Sequence, residues 1–231
     1  MLSIVIPALD ESVNLARLLP DLAARCPGAE VIVVDGGSRD GSADVAGRHP
    51  GVRWVESAPG RARQMNAGAR LAAGDALWFL HADSALPDGA ALAIAAALAD
   101  PAVVGGRFDV RFSSPRWPFR MIASMMNRRS RLTGIATGDQ GIFVRRSAFE
   151  ALGGYPDIPL MEDIELTRRL KRRRAIACLA LRITTSPRKW EREGIARTIL
   201  LMWTLRFLYF CGADPARLHR RYYRRAPAAP R

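Results

Sequence analysis

Short apolar runs alternate with amphipathic stretches through the first hundred residues of the chain. The runs occupy residues 2–6, 30–34, 52–55 and 76–80, and their continuous apolar character is typical of strands buried on both faces of a sheet. Between them apolar residues recur at helical spacing, as the leucines at positions 15, 18, 19 and 22 do. This alternation predicts a parallel sheet with right-handed helical crossovers.

The pattern becomes less regular after residue 100. Residues 103–112 alternate between apolar and polar, which favours an antiparallel or edge strand, and residues 138–144 and 175–181 are further predicted strands. Helices are predicted from residue 162 or 163 to about 174, and over an amphipathic stretch at 192–210. We expect one α/β domain over residues 1–190, followed by a C-terminal amphipathic helix and basic tail over residues 191–231.

Length and cysteine usage indicate a single intracellular domain. A chain of 231 residues with 49% hydrophobic residues can bury a sizeable core. Cys26, Cys178 and Cys211 show neither metal-ligand spacing nor a disulfide framework, which favours a reducing cytosol. The chain opens directly on a predicted strand, so we expect no signal peptide and a cytoplasmic location.

Charge divides the chain into two unlike parts. The formal net charge is +13, yet residues 1–100 carry 8 basic and 12 acidic side chains whereas residues 101–231 carry 27 and 10. Such a basic surface suits nucleic acid, anionic lipid headgroups or a polyanionic substrate. Nearly all the basic residues are arginine, with Lys171 and Lys189 the two lysines. Part of the excess therefore reflects composition bias, and we do not expect nucleic-acid binding.

The most informative stretch is 76–87, where a buried strand breaks into His81, Asp83 and a turn at Pro87. A carboxylate just past the carboxyl end of a strand lies where open α/β sheets bind ligands. Asp83 is thus placed to meet a cation or a phosphate-bound metal, while the alternative is that it caps a turn. Two further acidic clusters, around Asp35 and at residues 162–163, also fall at strand ends or helix starts.

Four segments in this order resemble family 2 glycosyltransferases of the GT-A fold. They are I-V-I-P-A-L-D-E at 4–11, V-V-D-G-G-S-R-D-G-S at 33–42, H-A-D at 81–83 and M-E-D at 161–163. The resemblance implies a Rossmann-like mixed sheet flanked by helices. It also implies an inverting, metal-dependent transfer of a sugar from a nucleotide-diphosphate donor to an acceptor hydroxyl.

The resemblance assigns the nucleotide half of the site. Ala8, Glu11 and Asp35 would line the nucleotide pocket, and Arg61 would contact the donor diphosphate through charge-assisted bonds. For Glu11 the alternative is a first-turn carboxylate favoured by the helix dipole, and for Arg61 it is a solvated surface position.

The predicted metal-binding segment, H-A-D at 81–83, departs from the family pattern. Asp83 matches the last Asp of the family's D-x-D motif, whose role is to hold a divalent ion, Mg²⁺ or Mn²⁺, at the donor phosphates. His81 replaces the first Asp of that motif. Its imidazole would ligate a softer ion such as Mn²⁺ or bond the ribose, or it packs at the strand end.

The acceptor half follows from the later segments. Asp163 matches the family's catalytic base, with Glu162 beside it as a charge that raises its pKa; the alternative is a helix N-cap. Asp139 and Gln140 would line the sugar or acceptor pocket. Trp190 would stack on an acceptor sugar, or it is a core or interfacial residue.

The partners expected are a nucleotide-diphosphate sugar and an unknown acceptor, for which a lipid-linked molecule would suit a membrane-interface role of the apolar helix at 195–211. The alternatives for that helix are packing across the domain or a homodimer contact. Membrane contact would place the protein at the inner face of the membrane. Two competing functions are a nucleotidyltransferase that makes nucleotide sugars, and a non-enzymatic basic surface that binds anionic lipid or nucleic acid.

Overall fold

The computed structural model describes residues 1–173 and 175–223. Its strands are Leu2–Ala8 (β1), Glu30–Asp35 (β2), Val52–Glu56 (β3), Ala76–Phe79 (β4), Val103–Phe112 (β5), Phe143–Arg145 (β6) and Ala175–Thr185 (β7). Its helices are Ser12–Arg25 (α1), Ser42–Gly47 (α2), Arg61–Leu71 (α3), Ala90–Ala99 (α4), Trp117–Thr133 (α5), Arg146–Ala151 (α6), Glu162–Lys171 (α7), Arg188–Glu193 (α8), Ile195–Phe210 (α9) and Pro215–Tyr223 (α10).

The strands form one seven-stranded sheet in the order β3-β2-β1-β4-β6-β5-β7. The four strands of the first hundred residues pair in parallel, as the alternation of strand and helix predicts. β6 runs antiparallel between β4 and β5, and β7 pairs parallel with β5 at the edge. The predicted mixed α/β sheet is therefore confirmed, and it turns from parallel to antiparallel beside β4.

Both faces of the sheet are covered by helices. Alternate residues of a strand point to opposite faces, so Ile4 and Ile6 pack in one core cluster with helices α1 and α4, while Val5 packs in another with α3. Burial on both faces explains why β1 and β2 are continuous apolar runs in the sequence.

The segment predicted as a strand over residues 138–144 has a different structure. Gly138–Gln140 is a 3₁₀ turn, and β6 begins only at Phe143. Gly141 adopts φ +55°, in the left-handed region that glycine tolerates. Because a strand needs extended backbone, this conformation prevents a continuous strand over residues 138–144. The turn lies beside the carboxyl end of β4, since Phe79 donates its N–H to the Ile142 carbonyl at 2.9 Å.

The C-terminal helices pack on the same domain. The predicted helix at 192–210 is interrupted at Gly194, where φ is +86°, so that α8 and α9 are separate. Leu201 and Leu205 of α9 and Leu218 of α10 share a buried cluster with Ile164 of α7. The division at residue 190 stays a prediction, and residues 224–231 of the predicted tail lie outside the described residues.

In the described part of the chain, no helix is both long enough and apolar enough to cross a membrane.

Candidate active site

A cleft of about 820 Å³, the main cleft, opens at the carboxyl ends of the parallel strands β1 and β4. Its lining includes Ala8 at the end of β1, Glu11 in the loop after it, Arg61 at the start of α3, and His81 and Asp83 after β4. Open α/β sheets bind ligands at this edge, in the crevice outside the strand ends. Five residues predicted from the sequence thus lie in one cleft.

The loops after β1 and β2 are bonded to each other. Asp10, in the left-handed region at φ +55°, donates its backbone N–H to the Ser38 hydroxyl at 2.8 Å and accepts the Arg39 N–H at 2.8 Å. The Asp40 carboxylate accepts the Ser12 N–H at 2.8 Å. Asp40 therefore bonds a free N–H at the start of α1, a role typical of Asp, and these bonds tie the two loops together.

Asp35 is not among the described residues that line the main cleft. It is 6% exposed, and its carboxylate accepts the backbone N–H groups of Gly37 and Ser38, both at 3.0 Å. These bonds hold the Gly-rich turn after β2 in shape. A nucleotide contact by Asp35 stays a prediction, and it would require the carboxylate to exchange these internal bonds for the ligand.

Helix α3 anchors both sides of the cleft through two side-chain amides. The Gln64 amide donates to the Ala8 carbonyl at 2.7 Å and to the Val34 carbonyl at 2.8 Å, which ties the ends of β1 and β2. The Asn66 amide accepts the Tyr155 N–H at 2.9 Å and donates to its carbonyl at 2.8 Å. These amide bonds join backbone segments that are distant in sequence, and so hold them in place.

Two arginines at the start of α3 have different partners. The Arg61 side chain is exposed to the main cleft, whose walls desolvate it and oppose its charge. The nearby carboxylates of Glu162 and Asp139 outweigh that effect and raise the pKa of Arg61, so its guanidinium remains charged. Arg63 pairs with Asp157 at 2.9 Å, and both side chains are largely exposed. Arg61 is therefore the better-placed cation for an anionic ligand.

His81 contacts the Gly138–Gln140 turn. Its Nδ1 lies 3.4 Å from the Asp139 carboxylate, and a Cβ on Gly138 would lie only 2.5 Å from its Nε2. The Asp139 side chain is 42% exposed. Desolvation by the surrounding cleft opposes its ionisation, but His81 and Arg61 lower the pKa of Asp139 and keep it charged. Asp139 also lines the main cleft, as predicted for a pocket residue.

Few side chains at the main cleft could ligate a metal ion. Among residues 1–173 and 175–223, no three or more His, Cys, Asp and Glu side chains are grouped so as to hold a metal ion. Asp83 lines the cleft and offers carboxylate oxygens. Mg²⁺ is commonly held by one or two carboxylates together with substrate phosphates and water. Asp83 fits that arrangement, and ligation by His81 stays a prediction.

The Glu162–Asp163 pair begins α7 and is bonded to the same turn. The Asp163 carboxylate accepts the Gly138 N–H at 2.8 Å. Glu162 is 6% exposed, and burial together with the neighbouring Asp163 charge raises the pKa of Glu162 to about 7. Glu162 and Asp163 are not among the described residues that line the main cleft. Asp139, the residue after Gly138, does line it.

With this geometry, residues 3–153 match the family model described as glycosyl transferase family 2. The chain belongs to that family. A PGL/p-HBAD biosynthesis glycosyltransferase of Mycobacterium bovis is 32% identical in an alignment of length 168 that covers 67% of this chain and 63% of that protein. The chain thus spans less than two thirds of the length of the curated relatives that it matches.

Solved structures of other glycosyltransferases share the fold. A mannosyltransferase of Pyrobaculum calidifontis in complex with GDP-Man and Mn²⁺ has a TM-score of 0.68 at 22% identity, covering 99% of this chain and 65% of that chain. TarS of S. aureus in complex with UDP-GlcNAc has a TM-score of 0.64 at 18% identity, covering 80% and 58%. The GT-A fold predicted from the sequence is confirmed.

Two predicted pocket residues of this family 2 chain differ in placement. Gln140 is fully buried, and its amide donates to the Ser130 hydroxyl at 3.0 Å, so direct contact with a sugar does not fit its position inside the domain. Trp190 lines the main cleft and packs edge-on against Phe112, with ring centroids 5.9 Å apart. It is available for stacking, which stays a prediction.

Helix α10 contributes residues to the site that were not predicted from the sequence. His219, Tyr222 and Tyr223 line the main cleft, and the ammonium of Lys189 lies 3.3 Å from the Tyr222 ring centroid. Burial lowers the pKa of Lys189 to about 8. A sequence signal for α10 does exist. Pro215 is typical of a first helical position, and Leu218 and Tyr222 are four residues apart, as on one side of a helix.

Proposed function

We propose that the protein transfers a sugar from a nucleotide-diphosphate donor to an acceptor hydroxyl. The observation that carries this proposal is the convergence of Arg61, Asp83 and Asp139 on the cleft where this fold binds ligands. Family membership and neighbours that hold GDP-Man and UDP-GlcNAc support a nucleotide sugar as the donor class.

The donor diphosphate would lie between Arg61 and Asp83. The charged guanidinium suits phosphate oxygens. Asp83 would hold a divalent ion, Mg²⁺ or Mn²⁺, and such an ion supplies neutralisation of the charge that builds on the departing nucleoside diphosphate. The Mn²⁺ in the complex of the Pyrobaculum mannosyltransferase supports this choice.

Transfer would be a single displacement with inversion. The acceptor oxygen forms a bond to the anomeric carbon, the bond from that carbon to the diphosphate breaks, and its electron pair leaves with the nucleoside diphosphate. The acceptor proton passes to a carboxylate. Asp163 is the proposed base, positioned by the Gly138 N–H. Asp139 is the competing base because it lines the main cleft.

Donor binding is tested by thermal shift and by release of nucleoside diphosphate from a panel of nucleotide sugars. UDP or GDP with Mn²⁺ should raise the melting temperature, and Asp83→Ala should abolish that rise while the far-UV circular dichroism is unchanged. Asp75→Ala is the matched control, since Asp75 precedes β4 and its side chain is 93% exposed. An undiminished rise in Asp83→Ala would overturn the role of Asp83.

The base is tested separately from binding. Asp163→Asn should keep the donor-induced thermal shift and lower turnover by about 10²- to 10⁴-fold, the usual contribution of a general base. If Asp139→Asn shows that loss and Asp163→Asn does not, the proton acceptor is Asp139.

A further inference from the structure

Helix α9 presents an unpaired apolar row on its outer side. The row consists of Leu200, Trp203, Phe207 and Phe210, which are between 55% and 67% exposed. Residues three and four apart share one side of a helix, while Leu201 and Leu205 face the core on the other. Soluble proteins rarely expose such contiguous apolar patches unless they meet a partner.

Helix α5 lies beside α9 and widens this surface. Ile195 and Ile199 of α9 pack against a cluster formed by the buried side of α5. On the outer side of α5, Trp117, Met121 and Met125 follow one another at four-residue spacing and are between 41% and 70% exposed. Each helix thus carries an exposed apolar row, and the two helices share one buried cluster; the outer sides of both helices are called the α5–α9 face.

The charged residues of these two helices are all arginine. Trp117–Thr133 contains four arginines and Ile195–Phe210 contains two, and neither sequence contains Asp or Glu. The exposed charges are Arg120, Arg128 and Arg131 of α5 and Arg197 of α9, and all are positive. Arg129 and Arg206 are partly buried instead and lie near Asp163. Amphipathic helices of this composition lie in the interface of anionic membranes.

A groove of about 340 Å³ borders α5 and adds to the positive charge. Its lining contains Asp109 as the one carboxylate among the described residues, and Asp109 is paired with Arg107 and Arg131. Uncompensated arginines remain around the groove. The arginines of the lining are Arg111, Arg120, Arg128, Arg131 and Arg182.

We propose that the α5–α9 face and this arginine groove form a docking surface for an anionic lipid bilayer. The apolar rows would enter the interfacial region, where Trp and Phe are favoured, and the groove would hold a lipid phosphate headgroup. Thr198 and Met202 on the inner side of α9 line the main cleft, so a docked bilayer would lie one helix away from it.

Charge distinguishes the bilayer from a second copy of the chain. A two-fold interface pairs a patch with itself, which would bring arginines of both copies together without a carboxylate on α5 or α9 to offset them. An anionic bilayer supplies the opposite charge along with an apolar interior.

The test is flotation of the full chain with vesicles of phosphatidylcholine alone or mixed with phosphatidylglycerol. We expect binding to the mixed vesicles, weakened by salt. Each of Arg120→Gln and Arg128→Gln should lower the partition coefficient about fivefold. Trp203→Ser with Phe207→Ser should lower it by about tenfold or more.

Matched controls come from exposed residues elsewhere. Arg17→Gln on α1 and Leu92→Ser on α4 should leave partitioning unchanged, since both side chains are exposed on helices that do not belong to this face. Equal loss in the controls, or failure of the wild type to bind mixed vesicles, would overturn the proposal. So would a dimer in sedimentation that Trp203→Ser with Phe207→Ser dissociates. Because partitioning needs no donor, its failure leaves the proposed transfer reaction untouched.

Discussion

The buried carboxyl of Glu162 makes the stability of the protein depend on pH in a way that can be calculated. Burial and the Asp163 charge raise the pKa of Glu162 from 4.5 to about 7. A group whose pKa is higher in the folded than in the unfolded chain stabilises the fold fully below its unfolded pKa, and that stabilisation is lost as the pH rises through the folded value. At 1.36 kcal/mol per pKa unit, the rise from 4.5 to about 7 corresponds to about 3 kcal/mol.

Glu162→Gln keeps the shape of the side chain and removes its titration. We expect the free energy of unfolding of the variant, relative to wild type, to rise by about 2–3 kcal/mol between pH 5 and pH 8, because only the wild type must bury a carboxylate at position 162 at the higher pH. Urea denaturation at both pH values measures this difference. Glu150→Gln, at an exposed position of α6, is the control and should show no such change. Parallel pH profiles for wild type and Glu162→Gln would refute the reasoning.

Two further substitutions test the framework of the cleft. Gln64→Leu should lower the free energy of unfolding by about 2 kcal/mol, because it removes a buried amide bonded to two strand-end carbonyls; an unchanged urea midpoint would contradict that role. Gly138→Ala should cost about 1–3 kcal/mol through its clash with His81. Adding His81→Ala should recover most of that cost, and strictly additive effects in the double-mutant cycle would show that the two residues do not compete for space.

The parallel half of the fold could be predicted because its strands are buried on both faces. Because of that burial, β1, β2 and β4 are continuous apolar runs in the sequence, and turn residues follow each of them. The end of β4 located Asp83 at the ligand-binding edge of the sheet, and Asp83 lines the main cleft. Glu11 and Asp35 were assigned through the family resemblance, and of these two Glu11 is among the described lining residues. Sequence spacing cannot tell whether a carboxylate after a strand faces a ligand or, as with Asp35, bonds the N–H groups of its own turn.

The antiparallel half could not be predicted as well, because contacts distant in sequence determine it. The run at 138–144 has the composition of a strand, but Gly138 adopts a 3₁₀ turn where the His81 ring packs against it, and Gly141 closes the turn. In the same way, α10 is positioned by the burial of Leu218 against α9 and α7. Local periodicity contains no information on such packing.

The main cleft and the groove beside α5 differ in the charge of the residues that line them. The described lining of the main cleft has three side chains that are always or mostly cationic, at positions 61, 63 and 189, and four carboxylates, at positions 11, 83, 139 and 157. The cleft therefore has no cationic excess to match a diphosphate, which supports the proposed divalent ion at Asp83. Five arginines of the second half line the groove beside α5, with Asp109 as the one carboxylate of its described lining. Donor binding should accordingly depend on the divalent ion, and bilayer docking on ionic strength, so chelation and added salt should affect the two separately.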